Sequence, residues 1–170
     1  MKTEDLKALQ APLKKKYSND PQSAVITLHA SGKLGEGISC KVDTGRALTQ
    51  AGLHPATGGD GTMLCSGDLL LEALVACAGV TLNAVATSIG ITIKEGKVRA
   101  EGDLDFKGTL GVSKEVPVGF QNIRLYFELD CDAGEETKQT LLKLTERYCV
   151  VLQTIVAATP VSANIHALKK

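Results

Sequence analysis

The stretch from Leu69 to Ile89 constrains the fold of this chain more than any other segment. It is largely apolar, has small residues near its middle, and carries one thiol, Cys77. Ser66 is placed to cap a helix at its start, and Gly90 is placed to end it. The pattern predicts one helix of roughly 23 residues, about 35 Å long, which would be the longest element of the chain.

Polar residues interrupt this stretch before it reaches about 18 consecutive apolar positions, the length that a membrane span requires. They are Glu72, Thr81, Asn83, Thr87 and Ser88. The N-terminal sequence Met-Lys-Thr-Glu-Asp-Leu-Lys lacks the charged-then-apolar order of a secretory signal. We therefore expect a buried core helix, no membrane partner and a cytoplasmic location.

Length and charge narrow the possible partners. The chain has 170 residues, which predicts a single domain over residues 1–170, with residues 1–20 as an N-terminal arm or short helix. Basic and acidic residues number 19 each, and the isoelectric point is near 6.8. Because no net field attracts phosphate backbones, we expect no nucleic-acid partner.

The remaining segments alternate between strand and helix patterns in the order β-β-α-β-β-α-α-β after the N-terminal arm. A glycine-rich turn at Ser31–Gly35 joins the first two strands as a hairpin, Arg46–Gly61 is expected to be a loop, and Pro12 is expected to disrupt the second half of the arm helix. The expected strands are Val25–Ala30, Gly37–Val42, Ile91–Phe106, Ile123–Cys131 and Val161–His166; the other expected helices are Thr3–Lys16, Asp132 to about Arg147, and Val150–Ala158.

Five cysteines, at positions 40, 65, 77, 131 and 149, form no CxxC pair and are odd in number. This disfavours both a secreted disulfide framework and a zinc site. The three histidines, at positions 29, 54 and 166, form no metal-spaced cluster either. We therefore expect no metal and no cofactor, and a functional cysteine in a reducing compartment would be catalytic or redox-active.

The residues alone leave the role of each thiol open. Cys77 has small neighbours and is either a packed core thiol or a nucleophile in a dry pocket, and the second reading requires a cation or hydrogen-bond donor at the sulfur. Cys65 competes with it, because a helix N-terminus lowers a thiol pKa. Cys131, between two aspartates, and Cys40 are expected to be structural. Cys149 is open to both readings.

The run Leu-Leu-Leu-x-Ala-Leu-x-x-Cys at Leu69–Cys77, the pair of strands after it, and the Tyr-Cys at Tyr148–Cys149 together resemble the OsmC/Ohr family of thiol peroxidases, in its broader OsmC-like branch. The resemblance implies an α+β fold in which two chains form an intertwined homodimer. Antiparallel sheets from both chains would wrap around two central helices, with active sites at the dimer interface.

The resemblance also implies a redox pair. Cys77 would be the peroxidatic thiolate that attacks an organic hydroperoxide, Cys149 would resolve the resulting sulfenic acid, and a dithiol or lipoylated protein would reduce the disulfide. The family's activating arginine and the acid that holds it have their candidates in Arg46 and Asp68. Lys33 is a weaker substitute for the arginine, since an ammonium lacks the guanidinium fork.

Two other functions remain open at this point. One is a noncatalytic OsmC-like dimer that binds a small molecule and keeps its cysteines for packing. The other is a cysteine hydrolase, which would need a histidine base; His29, His54 and His166 are available, and none lies in a recognisable motif.

Overall fold

A four-stranded antiparallel sheet with one long helix on its face forms the centre of the molecule. The computed structural model describes residues 3–34, 40–43, 51–62, 64–165 and 167. In chain order the elements are α1 (Thr3–Asn19), β1 (Val25–Leu34), β2 (Cys40–Asp43), β3 (Ala51–Gly52), β4 (Leu64–Cys65), α2 (Ser66–Ser88), β5 (Ile93–Asp105), α3 (Phe106–Thr109), β6 (Phe120–Cys131), α4 (Glu135–Tyr148) and α5 (Val150–Val156). The main sheet has the order β2-β1-β5-β6.

The two faces of the sheet have different chemistry because side chains alternate along each strand. Val98 and Ala100 of β5 are fully buried under α2. The alternate residues Arg99, Glu101 and Asp103 point to the other face, where Arg124 of β6 forms ion pairs with Asp103 and Glu101. The fold is therefore mixed, with α2, α4 and α5 covering one side of an antiparallel sheet.

The predicted long helix is confirmed as α2, which has 23 residues. It ends in a Schellman motif: Gly90, at φ +75°, donates to the Thr87 carbonyl, and Ile91 donates to the Ala86 carbonyl. The predicted cap is wrong, because Ser66 is the first helical residue and Cys65 occupies the cap position without a side-chain hydrogen bond. The short strand β4 ends at Cys65 and α2 begins at the next residue, so Cys65 rather than Ser66 precedes the helix.

The apolar character of α2 is explained by its burial. Among the described residues it is the one helix long and apolar enough to span a bilayer, and 50% of its most apolar window is buried within the molecule. Its inward side chains meet the sheet in one cluster and α4 in another. They include Leu71, Leu74, Val75, Ala78, Leu82, Val85 and Ala86.

Shortening a core side chain of α2 tests this packing. Leu74 is 0% exposed, so we expect Leu74→Ala to lower the free energy of unfolding by about 2–5 kcal/mol. Ile89 lies at the C-terminal end of the same helix but is 39% exposed, so Ile89→Ala should cost about 1 kcal/mol or less. Urea titration of the two variants measures the difference, and equal losses would contradict the orientation of α2.

The predicted hairpin is confirmed as β1 and β2, which pair antiparallel from Ser31 with Asp43 to Leu34 with Cys40. The turn predicted at Ser31–Gly35 is wrong over residues 31–34, which belong to β1 because β5 pairs with them as far as Lys33 and β2 as far as Leu34. The predicted loop between Arg46 and Gly61 is only partly correct. Residues 44–50 lie outside the described residues, and Ala51–Gly52 form a parallel bridge to β4.

The arm helix is longer and more regular than expected. α1 continues through Pro12 to Asn19, so the predicted break is wrong. Tertiary contacts compensate for the missing proline N–H: Tyr17 is 2% exposed, and its hydroxyl donates to the Ala56 carbonyl at 2.6 Å. Gln10 donates to the Thr57 carbonyl at 3.3 Å.

Two further predictions differ from the structure. The helix expected from Asp132 begins at Glu135 with Gly134 in the cap position, so Asp132 does not start it; Asp132 instead pairs with Lys94 at 2.6 Å. The predicted final strand Val161–His166 is absent from residues 161–165, which form neither helix nor strand, and residue 166 lies outside the described residues. A strand requires a paired neighbour, and this segment has none in the described chain.

Candidate active site between α2 and α5

The structure brings Cys77 and Cys149 together although they are far apart in sequence. Cys77 lies in the middle of α2, on the side that packs against α5, and Cys149 joins the same core cluster. The Cys149 thiol donates a hydrogen bond to the Cys77 sulfur. The two thiols predicted as a redox pair are therefore in direct contact.

Cys149 occupies a one-residue break between two helices. Its φ of −72° and ψ of 104° are extended rather than helical. Its backbone N–H still donates to the Thr145 carbonyl of α4, and its carbonyl accepts from the Gln153 N–H of α5. The break therefore starts a new helix immediately after the thiol and frees the first N–H groups of α5 for other partners.

Those N–H groups point to Cys77. Burial alone would raise the pKa of the Cys77 thiol, but several hydrogen bonds to the sulfur outweigh burial and lower this pKa below its usual value. The donors are the backbone N–H groups of Val151 and Val150, the Cys149 thiol and the Thr81 hydroxyl. A thiolate accepts these bonds better than a thiol does, so the site favours the reactive form.

Cys149 has the opposite electrostatic environment. It is 0% exposed. Burial, with a smaller contribution from the neighbouring Cys77, raises the pKa of the Cys149 thiol to about 11, although backbone hydrogen bonds from Leu152 and Val151 oppose the shift. Cys149 therefore keeps its proton at neutral pH, and Cys77 is the thiol of the pair that ionises first.

The hydroxyl of Thr81 gives a test of this charge distribution. Removing it in Thr81→Val should raise the pKa of Cys77, so that iodoacetamide alkylation at pH 7 slows severalfold and its midpoint moves to higher pH. Thr81→Ser keeps a hydroxyl at this position and should retain the wild-type profile. Mass spectrometry of the Cys77 peptide across pH measures both, and identical profiles for the valine and wild-type proteins would contradict the role of Thr81.

An apolar groove of about 410 Å³ begins beside the thiol pair. Thr81, which contacts Cys77, forms one end of it, and Tyr148, which precedes Cys149, lines its other wall. Cys77 is partly exposed, whereas Cys149 lies behind it in the core. Neither cysteine lines the groove itself, which adjoins the thiol pair through Thr81 and Tyr148. The remaining lining residues are Val80, Ala84, Val85, Ser88 and Leu144.

Asp68 lies in the first turn of α2, remote from the thiol pair. Nine residues separate it from Cys77 along the helix, which is about half a turn of rotation. Burial raises its pKa, and the positive charges of His54 and His29 oppose that shift. The groups that act on Asp68 therefore differ from those that act on Cys77, and its described partners are histidines rather than an arginine.

The predicted cations are not found beside the sulfur within the part of the chain that the structure describes. Arg46 falls in residues 44–50, which lie outside it. Lys33 is described and exposed on β1, and it is not among the groups that shift the pKa of Cys77. The described donors to Cys77 are neutral: two peptide N–H groups, one hydroxyl and one thiol.

The other described cysteines lie apart from this pair. Cys65 occupies the cap position of α2 and packs against the core cluster as a partly buried side chain. Cys131 ends β6 and is partly buried. Neither of them is among the groups that act on Cys77 or Cys149.

The N–H groups of Val150 and Val151 were not predicted from the sequence to be functional groups. The signal was present, because a second helical segment begins directly after Cys149. A helix that restarts after one extended residue presents its first N–H groups beside that residue. Thr81 was predicted only to interrupt the apolar run of α2.

Comparison with known proteins identifies the family of this chain. The family model described as OsmC-like protein matches residues 59–164, and the chain therefore belongs to the OsmC-like family. This confirms the resemblance drawn from the sequence. The family includes hydroperoxide resistance proteins. A search of curated proteins gave no match.

Two solved structures share the fold at low sequence identity. An OsmC-like hydroperoxide resistance protein from Jannaschia sp. CCS1 is 17% identical, with a TM-score of 0.57 over 86% of this chain and 95% of that one. An OsmC-like protein from Mycoplasma pneumoniae is 18% identical, with a TM-score of 0.53 over 77% of this chain and 84% of that one. They support the mixed α/β architecture with an antiparallel sheet.

Proposed function

We propose that this protein is a thiol-dependent peroxidase that reduces organic hydroperoxides. The observation that carries the proposal is the contact between Cys77 and Cys149, in which the partly exposed sulfur has the lowered pKa and the buried one keeps its proton. A peroxide reaches Cys77 first, and the second thiol lies behind it. A peroxidatic cysteine must be accessible and readily ionised, and a resolving cysteine must lie next to it.

The chemistry balances in three steps. The Cys77 thiolate attacks one oxygen of the hydroperoxide, the O–O bond breaks, the departing alkoxide takes a proton from solvent, and Cys77 becomes a sulfenic acid. The Cys149 sulfur then attacks the Cys77 sulfur, a disulfide forms, and water leaves. A dithiol or a lipoylated protein finally reduces the disulfide through a mixed disulfide and is itself oxidised.

The described donors explain how Cys77 could ionise without a cation in contact. Peptide N–H groups at a helix start stabilise an anion through their partial positive charge. The Thr81 hydroxyl and the Cys149 thiol add two further bonds. We propose Arg46 as an additional activating group and Asp68 as its acidic partner, which would require the segment 44–50 to bring Arg46 towards the site from the same chain or from a second copy.

The intertwined homodimer is also part of the proposal. Several large apolar side chains around the thiol site are exposed in the single chain, which a second copy would cover. They are Leu70, Val80, Tyr148, Val150 and Val156, exposed by 40%, 38%, 56%, 70% and 63%. We keep the single domain and the cytoplasmic location as predictions of the same proposal.

A turnover assay tests the proposal. Purified protein is mixed with cumene hydroperoxide or tert-butyl hydroperoxide and with either dithiothreitol or dihydrolipoamide, and peroxide loss is followed. We expect catalytic loss of peroxide with at least one dithiol. Inactivity with every peroxide and dithiol pair, in protein whose Cys77 is shown to be reduced, would overturn it.

A noncatalytic dimer that binds a small apolar molecule is the second candidate. It is favoured by the groove of about 410 Å³ beside the thiols and by the neutral character of the described donors to Cys77. The two candidates differ in one readout. The binding protein would leave Cys77 reduced after one equivalent of peroxide, whereas the peroxidase would oxidise it.

A further inference from the structure

The one-residue break at Cys149 takes the usual helical partner away from one carbonyl of α4. In a continuous helix the N–H of Val150 would donate to the carbonyl four residues earlier, which is that of Glu146. The extended ψ of 104° at Cys149 turns this N–H away from α4, and it donates to the sulfur of Cys77 instead. The Glu146 carbonyl therefore needs a different donor.

The side chain of Gln153 supplies that donor. Its Nε2 donates to the Glu146 carbonyl at 2.9 Å, and its backbone N–H donates to the Cys149 carbonyl, also at 2.9 Å. Gln153 therefore bonds to both sides of the break: its side chain reaches the last turn of α4, and its backbone holds the residue at the break itself. Together the two bonds fix the direction in which α5 leaves α4.

We propose that Gln153 is a positioning residue for the thiol site, which occupies the Glu146 carbonyl so that the Val150 N–H stays available to Cys77. The inference rests on the proposed function, because it concerns the nucleophile of that reaction. Gln153 is exposed and is not among the groups that act directly on Cys77. Its effect reaches the sulfur through the start of α5.

Removing the side-chain donor would set two acceptors in competition for one N–H. A carbonyl at a helix end is satisfied by a side chain, by water or by a nearby backbone N–H. For Glu146 the backbone candidate is Val150, since a regular helical bond would join these two residues. As that bond forms, the break closes in part, and Cys77 loses one of the donors that favour its thiolate.

Replacing Gln153 with methionine tests the inference. Methionine has nearly the length of glutamine and a similar helix propensity, but its side chain cannot donate a hydrogen bond. We expect alkylation of Cys77 by iodoacetamide at pH 7 to slow by about twofold to tenfold, the range that one hydrogen bond supplies, and its midpoint to move to higher pH. Mass spectrometry of the Cys77 peptide across pH measures both effects.

Two matched variants show whether the donor itself is responsible. Gln153→Lys keeps a side-chain donor at the same position, so alkylation of Cys77 should not slow. Gln139→Met makes the same chemical change elsewhere on α4, where Gln139 donates to the Glu135 carboxylate at 3.3 Å, and should leave the wild-type profile unchanged. Equal slowing in Gln153→Lys, or in Gln139→Met, would overturn the role of the Gln153 donor.

The amide of Val150 gives a readout that a merely structural role would not move. In the wild type its proton resonance should follow the titration of Cys77, because this N–H donates to the sulfur. In Gln153→Met the dependence should weaken for Val150, whereas the amide of Val151 should keep it. If the Val150 amide follows the titration equally in both proteins, Gln153 does not control this bond.

Neither readout requires peroxide turnover, so the inference and the proposed function fail separately. A protein that reduces no peroxide, but in which Gln153→Met shifts the alkylation profile of Cys77, would overturn the peroxidase alone. An active protein whose profile is the same with and without the Gln153 side chain would overturn the positioning role alone. Circular dichroism checks that each variant folds, as the exposed position of Gln153 predicts.

Discussion

Replacing Cys77 with serine is expected to abolish peroxide reduction, with a loss of about 10³-fold or more in turnover. A serine hydroxyl remains protonated at neutral pH, so the hydrogen bonds that lower the pKa of the Cys77 thiol cannot supply a nucleophile. Cys77 is partly buried but lies on a helix that otherwise keeps its packing, so the variant should fold. Peroxide loss with dithiothreitol or dihydrolipoamide measures the effect.

The other described cysteines supply the controls for this variant. Cys65→Ser and Cys131→Ser change thiols that are not among the groups acting on Cys77 or Cys149, and both proteins should keep wild-type turnover. If Cys65→Ser loses activity while Cys77→Ser keeps it, the nucleophile is the thiol at the start of α2. Full activity in Cys77→Ser would exclude the proposed reaction at this site.

Replacing Cys149 with serine is expected to separate the first chemical step from turnover. Cys77 should still form a sulfenic acid in a single turnover, because most of its hydrogen-bond donors remain. Without a resolving thiol the sulfenic acid persists and is oxidised further to a sulfinic acid, so steady-state turnover should fall by about tenfold or more. Dimedone trapping and intact mass measure the two species.

Stability must be measured alongside this variant, because Cys149 is 0% exposed in the main core cluster. Cys149→Ala leaves an apolar side chain in place and serves as the matched protein for packing. If both variants fold and both trap the sulfenic acid at Cys77, loss of turnover is due to the missing thiol. If neither variant loses turnover, Cys149 is not the resolving cysteine.

Much of this site could be read from the sequence because its signals are local. The apolar run, the small residues around Cys77 and the glycine at position 90 predict the length and end of α2 correctly. The spacing of strands and helices predicts the antiparallel hairpin and the two helices on either side of Cys149. The two cysteines were paired by the family resemblance, and the structure brings the same two into contact.

The sequence could not supply features that depend on tertiary contacts. No local pattern predicts that α1 continues through Pro12, because Tyr17 and Ala56 stabilise it from outside the helix. The N–H groups of α5 act on Cys77 only because α5 packs across α2. A strand predicted at Val161–His166 was judged by composition alone, whereas a strand forms only when a neighbouring edge accepts it.

The disulfide itself is the most direct measurement of the central claim. Reduced protein is treated with one equivalent of cumene hydroperoxide, quenched with an alkylating agent, and examined by intact and peptide mass spectrometry. We expect the chain to lose two hydrogen atoms and to yield one crosslinked peptide pair that joins Cys77 to Cys149. A crosslink through Cys65 instead, or a chain in which both thiols remain alkylated, would contradict the redox pair.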